Sequence, residues 1–160
     1  MEPSLILRAR EALAEATPLR TDCGAVCGAA CCQADEDGRG GMYLFPGEER
    51  APLPRGGEIL QDPRGFAPIF VCAGACEREK RPLACRIFPL TPAQSERGWG
   101  VRMDARARSM CPLTRWGVRG LNPGFVRAVR AAVRMLAQDE SIEAYLRRWE
   151  EIEREYATLW

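Results

Sequence analysis

Histidine is missing from all 160 residues, and lysine occurs once, at Lys80, among 23 basic residues. Without an imidazole the Ser/His, Cys/His and HExxH catalytic designs are excluded, and any zinc site must draw on cysteine or on Asp and Glu. Long apolar runs are missing too, since no stretch approaches the roughly 18 residues needed to span a bilayer. The first residues, MEPSLILRAREALAEA, carry acidic Glu2 where an export signal is positive, and only Leu5 to Leu7 are apolar before Arg8. No export signal is therefore expected. No glycine-rich nucleotide-binding fingerprint, tandem repeat or low-complexity segment occurs. These absences lead us to expect a cytoplasmic protein with no membrane partner, large enough to bury a core without disulfides.

What the chain has in quantity is cysteine: Cys23, Cys27, Cys31, Cys32, Cys72, Cys76, Cys85 and Cys111. In a reducing compartment, clustered thiols read first as metal ligands or redox groups. Cys23, Cys27 and Cys31 fall at i, i+4 and i+8, so on a helix their Cβ atoms would stand about 5 to 6 Å apart in one line. Cys32 would point roughly 100 degrees away, toward a second site or out of a broken helix. Gly24 and Gly28 each follow a cysteine, as in turns whose amides approach sulfur. Cys72 and Cys76 repeat the CxxxC spacing with Gly74 inside it. A lone cysteine is usually a small buried hydrophobe, and that alternative applies most to Cys111. Four thiols in the ten residues from Cys23 to Cys32 are a poor way to fill a core. Adjacent Cys31 and Cys32 also cannot easily pair with each other.

Residues 1–160 read as one domain, with a cysteine-rich metal-binding region over 17–115 and a helical hairpin over 120–160. The expected fold is α+β and mostly helical: a small cysteine-rich core with a short β-hairpin, packed against the C-terminal helical hairpin. Ser4 to Ala16 has a helical pattern capped by Ser4 and stopped by Pro18. Glycine and proline are dense from Gly38 to Pro68, which predicts loops around one or two short strands, with an apolar patch at Met42 to Phe45. Between Arg86 and Asp104 a hairpin is expected, with Ile87 and Phe88 facing Trp99 and Val101 and with Pro89 marking an edge. Asn122 and Pro123 form an N-cap and first-turn pair for a helix that carries Phe125, Val129, Ala132, Val133 and Leu136. A second helix starts near Ser141, with Ile142, Tyr145, Leu146, Trp149, Ile152, Tyr156 and Leu159 on one stripe.

Charge is uneven, with nine arginines and one acid, Asp104, from Arg97 to Arg134, and a Glu-rich segment from Gln138 to Tyr156. The plain reading is a solvated basic face paired with an acidic helix. Trp99, Trp116, Trp149 and Trp160 read as core and cap residues, although Trp116 beside Arg115 and Arg119 could stack on a base. Pro82 fixes the backbone before Cys85, and Arg81 and Arg86 are placed to bracket its thiolate as supporting residues around a cofactor. Their ordinary alternative is surface pairing with Glu77 or Glu79. Glu48 reads as a solvated turn residue, with an oxygen ligand in a mixed site as its other role.

The run CGAVCGAACC, then Pro46, Gly47 and Glu48, then CAGACEREKRPLACRIFPL resembles the bacterial zinc- or iron-chelating domain proteins with a CxxxCxxCC motif. Arg81, Pro82, Cys85, Arg86 and Pro89 look like that family's RPxxCRxxP signature, and Cys111 with Pro112 resembles its final CP element. The resemblance spans roughly residues 20–115. One departure is that Gly28, Ala29 and Ala30 put three residues, not two, in the second gap. The resemblance implies metal chelation by the eight cysteines. It also includes flagellin lysine methylases, in which the motif is tied to an iron-sulfur centre and methyl transfer from S-adenosylmethionine.

The leading expectation is an iron-sulfur cluster or one to two zinc ions held by clustered thiolates, with a metal ion as the first partner and a protein as a further one. Full thiolate coordination leaves zinc no open position and would make it structural. The rival readings are a cluster-dependent methyltransferase or redox enzyme acting on a protein or small-molecule amine, and a zinc-nucleated module binding nucleic acid.

Overall fold

The computed structural model describes residues 4–19, 41–73, 76–109 and 111–158. Cys23, Cys27, Cys31, Cys32 and Trp160 lie outside the described residues, as does Leu159. Helix α1 (Leu5–Ala12) starts where Ser4 Oγ accepts from the Leu7 N–H at 3.3 Å. It ends sooner than expected, at Leu13, whose N–H still reaches the Ala9 carbonyl. Its apolar positions Ile6, Ala9 and Leu13 are buried.

Three short strands follow: β1 (Met42–Tyr43), β2 (Glu58–Leu60) and β3 (Ile69–Val71). They form one antiparallel sheet in the order β1-β3-β2, with Phe70 opposite both Met42 and Ile59. Gly57 allows the Phe70 ring to lie against the backbone, because a Cβ there would stand 2.3 Å from the ring.

The segment from Arg86 departs from expectation. Pro82 precedes a short helix, α2 (Leu83–Ile87), and the hairpin begins only at β4 (Leu90–Ser95), which pairs with β5 (Gly98–Met103). Val101 therefore lies opposite Pro92, and Trp99 opposite Gln94, so Ile87 and Phe88 face neither. Pro89 has no N–H to give a ladder, and its carbonyl accepts from Asp104 N–H at 2.8 Å just past the paired strands.

Asn122 caps helix α3 (Pro123–Leu136), its Oδ1 accepting from Gly124 N–H at 3.1 Å with Pro123 in the first turn. Asp139 caps helix α4 (Glu140–Ala157) through the Ser141 and Ile142 amides. The two helices are not chiefly each other's partners: α3 packs on β5 and α1, and α4 packs on β4 and the turn at Ala105–Ser109. Both apolar stripes thus find the hairpin or α1. Phe125, Val129, Val133, Leu136, Leu146 and Trp149 join Ile6, Leu13, Phe45 and Leu83 in one buried cluster. The architecture is α+β, and no helix among the described residues is long and apolar enough to cross a membrane.

Candidate metal centre

Four of the eight cysteines can be placed. Cys72 follows β3, the middle strand of the three-stranded sheet. Cys76 precedes the turn at Arg78–Lys80, and its Sγ lies 3.8 Å from the Glu77 carbonyl oxygen. Cys85 sits inside α2, and Cys111 opens the turn at Pro112–Trp116. The Cys111 N–H donates to the Ala107 carbonyl at 2.7 Å, and its own carbonyl accepts from Thr114 N–H and Oγ1.

All four are half-buried, and none belongs to the hydrophobic core. Cys85 makes the point most clearly, because its neighbours Leu83, Ala84, Arg86 and Ile87 on the same helix are all buried. Among the described residues no three Cys, Asp or Glu side chains form a group able to hold a metal ion. The other half of the expected ligand set, Cys23, Cys27, Cys31 and Cys32, lies outside the described residues.

The helix that carries Cys85 is fixed by two buried charged side chains. Glu48 is 1 % exposed; its Oε1 accepts from Leu83 N–H at 2.6 Å and its Oε2 from Phe45 N–H at 3.0 Å. Pro82 cannot cap α2 with its own side chain, so a carboxylate from a distant turn does so. Gly47, at φ +82, turns the chain so that Glu48 points inward, which corrects the solvated-turn expectation. Burial pushes the Glu48 carboxyl above its usual range, and the Leu83 and Phe45 amides and the Arg10 charge oppose that rise.

Arg86 gathers backbone carbonyls. Its Nε donates to Arg81, its Nη1 to Arg10, and its Nη2 to Arg78 and Glu79, at 2.8 to 3.2 Å. These bonds join α1, the Arg78–Lys80 turn and α2 around the chain that leads from Cys76 to Cys85. Burial, and then the neighbouring Arg10 and Arg81 charges, disfavours the cationic form of Arg86. A guanidinium nonetheless stays ionised, and four carbonyl dipoles offset its desolvation. Lys80 and Glu77 form a surface ion pair in this segment, at 2.7 Å. Arg81 is half-buried and donates its N–H to Arg78.

A second polar cluster stands under the approach to Cys111. Asp104 and Glu153 are each 1 % exposed, and Arg106 bonds Asp104 at 2.6 Å and lies 3.6 Å from Glu153. Glu153 also accepts from the Ala105 N–H. Burial first, and then the Asp104 charge, pushes the Glu153 carboxyl up to about 7. The Arg106 guanidinium lies 5.9 Å from the Trp149 ring centroid and 6.0 Å from that of Tyr43, tying α4 to β1. Neither cluster is legible from spacing alone, although an acid beside Trp149 and Ile152 on the apolar stripe is a usable signal.

Beside α1 lies a cleft of about 530 Å³ whose lining includes Arg10, Arg78 and Arg86 together with Glu11, Glu15 and Glu79. Its charges balance, so it presents no net attraction to an ion. Comparison of the chain with protein-family models, curated proteins and solved structures gave no match.

Proposed function

We propose that this protein binds metal through its clustered cysteine thiolates, as an iron-sulfur cluster or one to two zinc ions. The observation that carries the reading is that Cys72, Cys76, Cys85 and Cys111 all stay out of the core. Structural cysteines are among the most buried of residues, so four that are only partly buried in a chain with a well-filled core argue against a packing role. The CxxxC spacing in both cysteine segments supplies the second support, and the RPxxCR resemblance the third. Thiolate is the preferred donor for both candidate metals. Arg86 and Glu48 support this site by fixing the backbone around Cys85.

The test is metal content after single substitutions. Cys85→Ser and Cys27→Ser should each lower bound zinc or iron and reduce thermal stability together, since structural metal affinity is folding free energy. Ala29→Ser, in the same run but not a thiol, should leave metal unchanged. Full metal retention in both cysteine variants would contradict the reading.

A further inference from the structure

Trp116 is 67 % exposed, although Trp99 and Trp149 are buried. A lone exposed apolar side chain needs no partner, but this one is built into place. It closes the turn at Pro112–Trp116, after which Gly117, at φ +65, reverses the chain into the turn at Val118–Gly120. Gly120 lies so near that a Cβ there would stand 2.3 Å from Trp116 Cβ, so the returning chain pins the base of the side chain and leaves its ring outside. The Arg115 guanidinium lies 5.2 Å from that ring's centroid.

Three exposed arginines lie on this turn and on the two turns that contact it, and their charge has no counterpart in the described chain. Arg108, Arg115 and Arg119 are exposed, and none forms an ion pair with a described residue. The acidic helix does not supply one: on α4, Glu143, Glu150 and Glu151 pair with Arg147, Arg154 and Arg148 of the same helix. Glu153 and Glu155 pair with Arg106 and Arg64. A flat ring next to guanidinium groups that pair with no described carboxylate fits a partner with aromatic faces and regularly spaced anions.

We propose that Trp116, with Arg108, Arg115 and Arg119, forms a contact site for single-stranded nucleic acid, the ring stacking on a base and the arginines meeting phosphates. An anionic membrane fits less well, because the nearby apolar residues Leu113 and Val118 pack against the core. The site is built from described residues and does not depend on the thiolate reading.

The experiment is fluorescence anisotropy of labelled 15-residue uridine and thymidine oligonucleotides with the purified full chain at about 50 mM salt. Trp116→Ala should weaken binding about tenfold, and Trp116→Phe should restore most of it. Arg115→Ala with Arg119→Ala should lower the salt-dependence slope by about 1.4. Preference for one oligonucleotide assigns RNA or DNA within the same proposal. Absence of binding, affinity unmoved by Trp116→Ala, or binding only to phosphatidylserine vesicles would overturn it.

Discussion

The hairpin with its covering helices and the cysteine-bearing segments are held by different forces. Over the hairpin and its covering helices the order comes mostly from apolar stripes, with Phe125, Val129, Leu146 and Trp149 all buried against strands and against α1, and with the Asp104, Arg106 and Glu153 cluster as the charged exception. Around Cys85 it comes from charged side chains that read the backbone: Glu48 accepts two amides and Arg86 donates to four carbonyls. Apolar packing tolerates repacking, whereas a carbonyl cage depends on one fork-shaped group. The chain around Cys85 is thus fixed by charged side chains where it meets the core, and the four described cysteines are half-buried.

Two substitutions should separate these regions most strongly. Phe125→Ala removes a fully buried ring and should cost about 3 to 5 kcal/mol in denaturant unfolding while metal content per folded chain holds. Arg86→Met should cost about 3 kcal/mol by leaving buried carbonyls unpaired, and should lower metal content as well. Arg86→Lys should not rescue it, because an ammonium cannot span four acceptors. Equal loss of metal in the Phe125 and Arg86 variants would erase the distinction.

The smallest expected effect concerns pH. Glu153 has a carboxyl raised from 4.5 to about 7 in the folded chain. Between those values the folded state binds more protons than the unfolded one, so this group's contribution makes stability fall as pH rises from about 4.5 to about 7. Glu153→Gln keeps an acceptor for the Ala105 N–H and adds a donor beside Asp104. It should flatten that slope and raise stability at pH 8 by about 1 to 2 kcal/mol, measured by urea unfolding across pH. An unchanged slope would show that Glu153 does not titrate there.

Much of the apolar half was legible in advance. The caps at Ser4 and Asn122 and the buried stripes from Phe125 to Leu136 and Ile142 to Trp149 follow from local spacing. Helix α2 was not, because apolar Ile87 and Phe88 before a proline read equally well as strand. Glu48 was misread for a different reason: it meets Leu83, a partner far away in sequence, and the bond from Arg86 to Arg10 is equally long-range. Trp116 read as a core or cap residue, or as one that stacks on a base, and the turn at Gly117 shows why it stays outside.

The most direct measurement is elemental analysis of the chain purified without oxygen, combined with acid-labile sulfide and reactive-thiol counts before and after chelation. The account predicts at least one zinc per chain, or iron with matching sulfide, and thiols that become reactive only when the metal is removed. A metal-free, folded chain with all eight cysteines reactive from the start would contradict it.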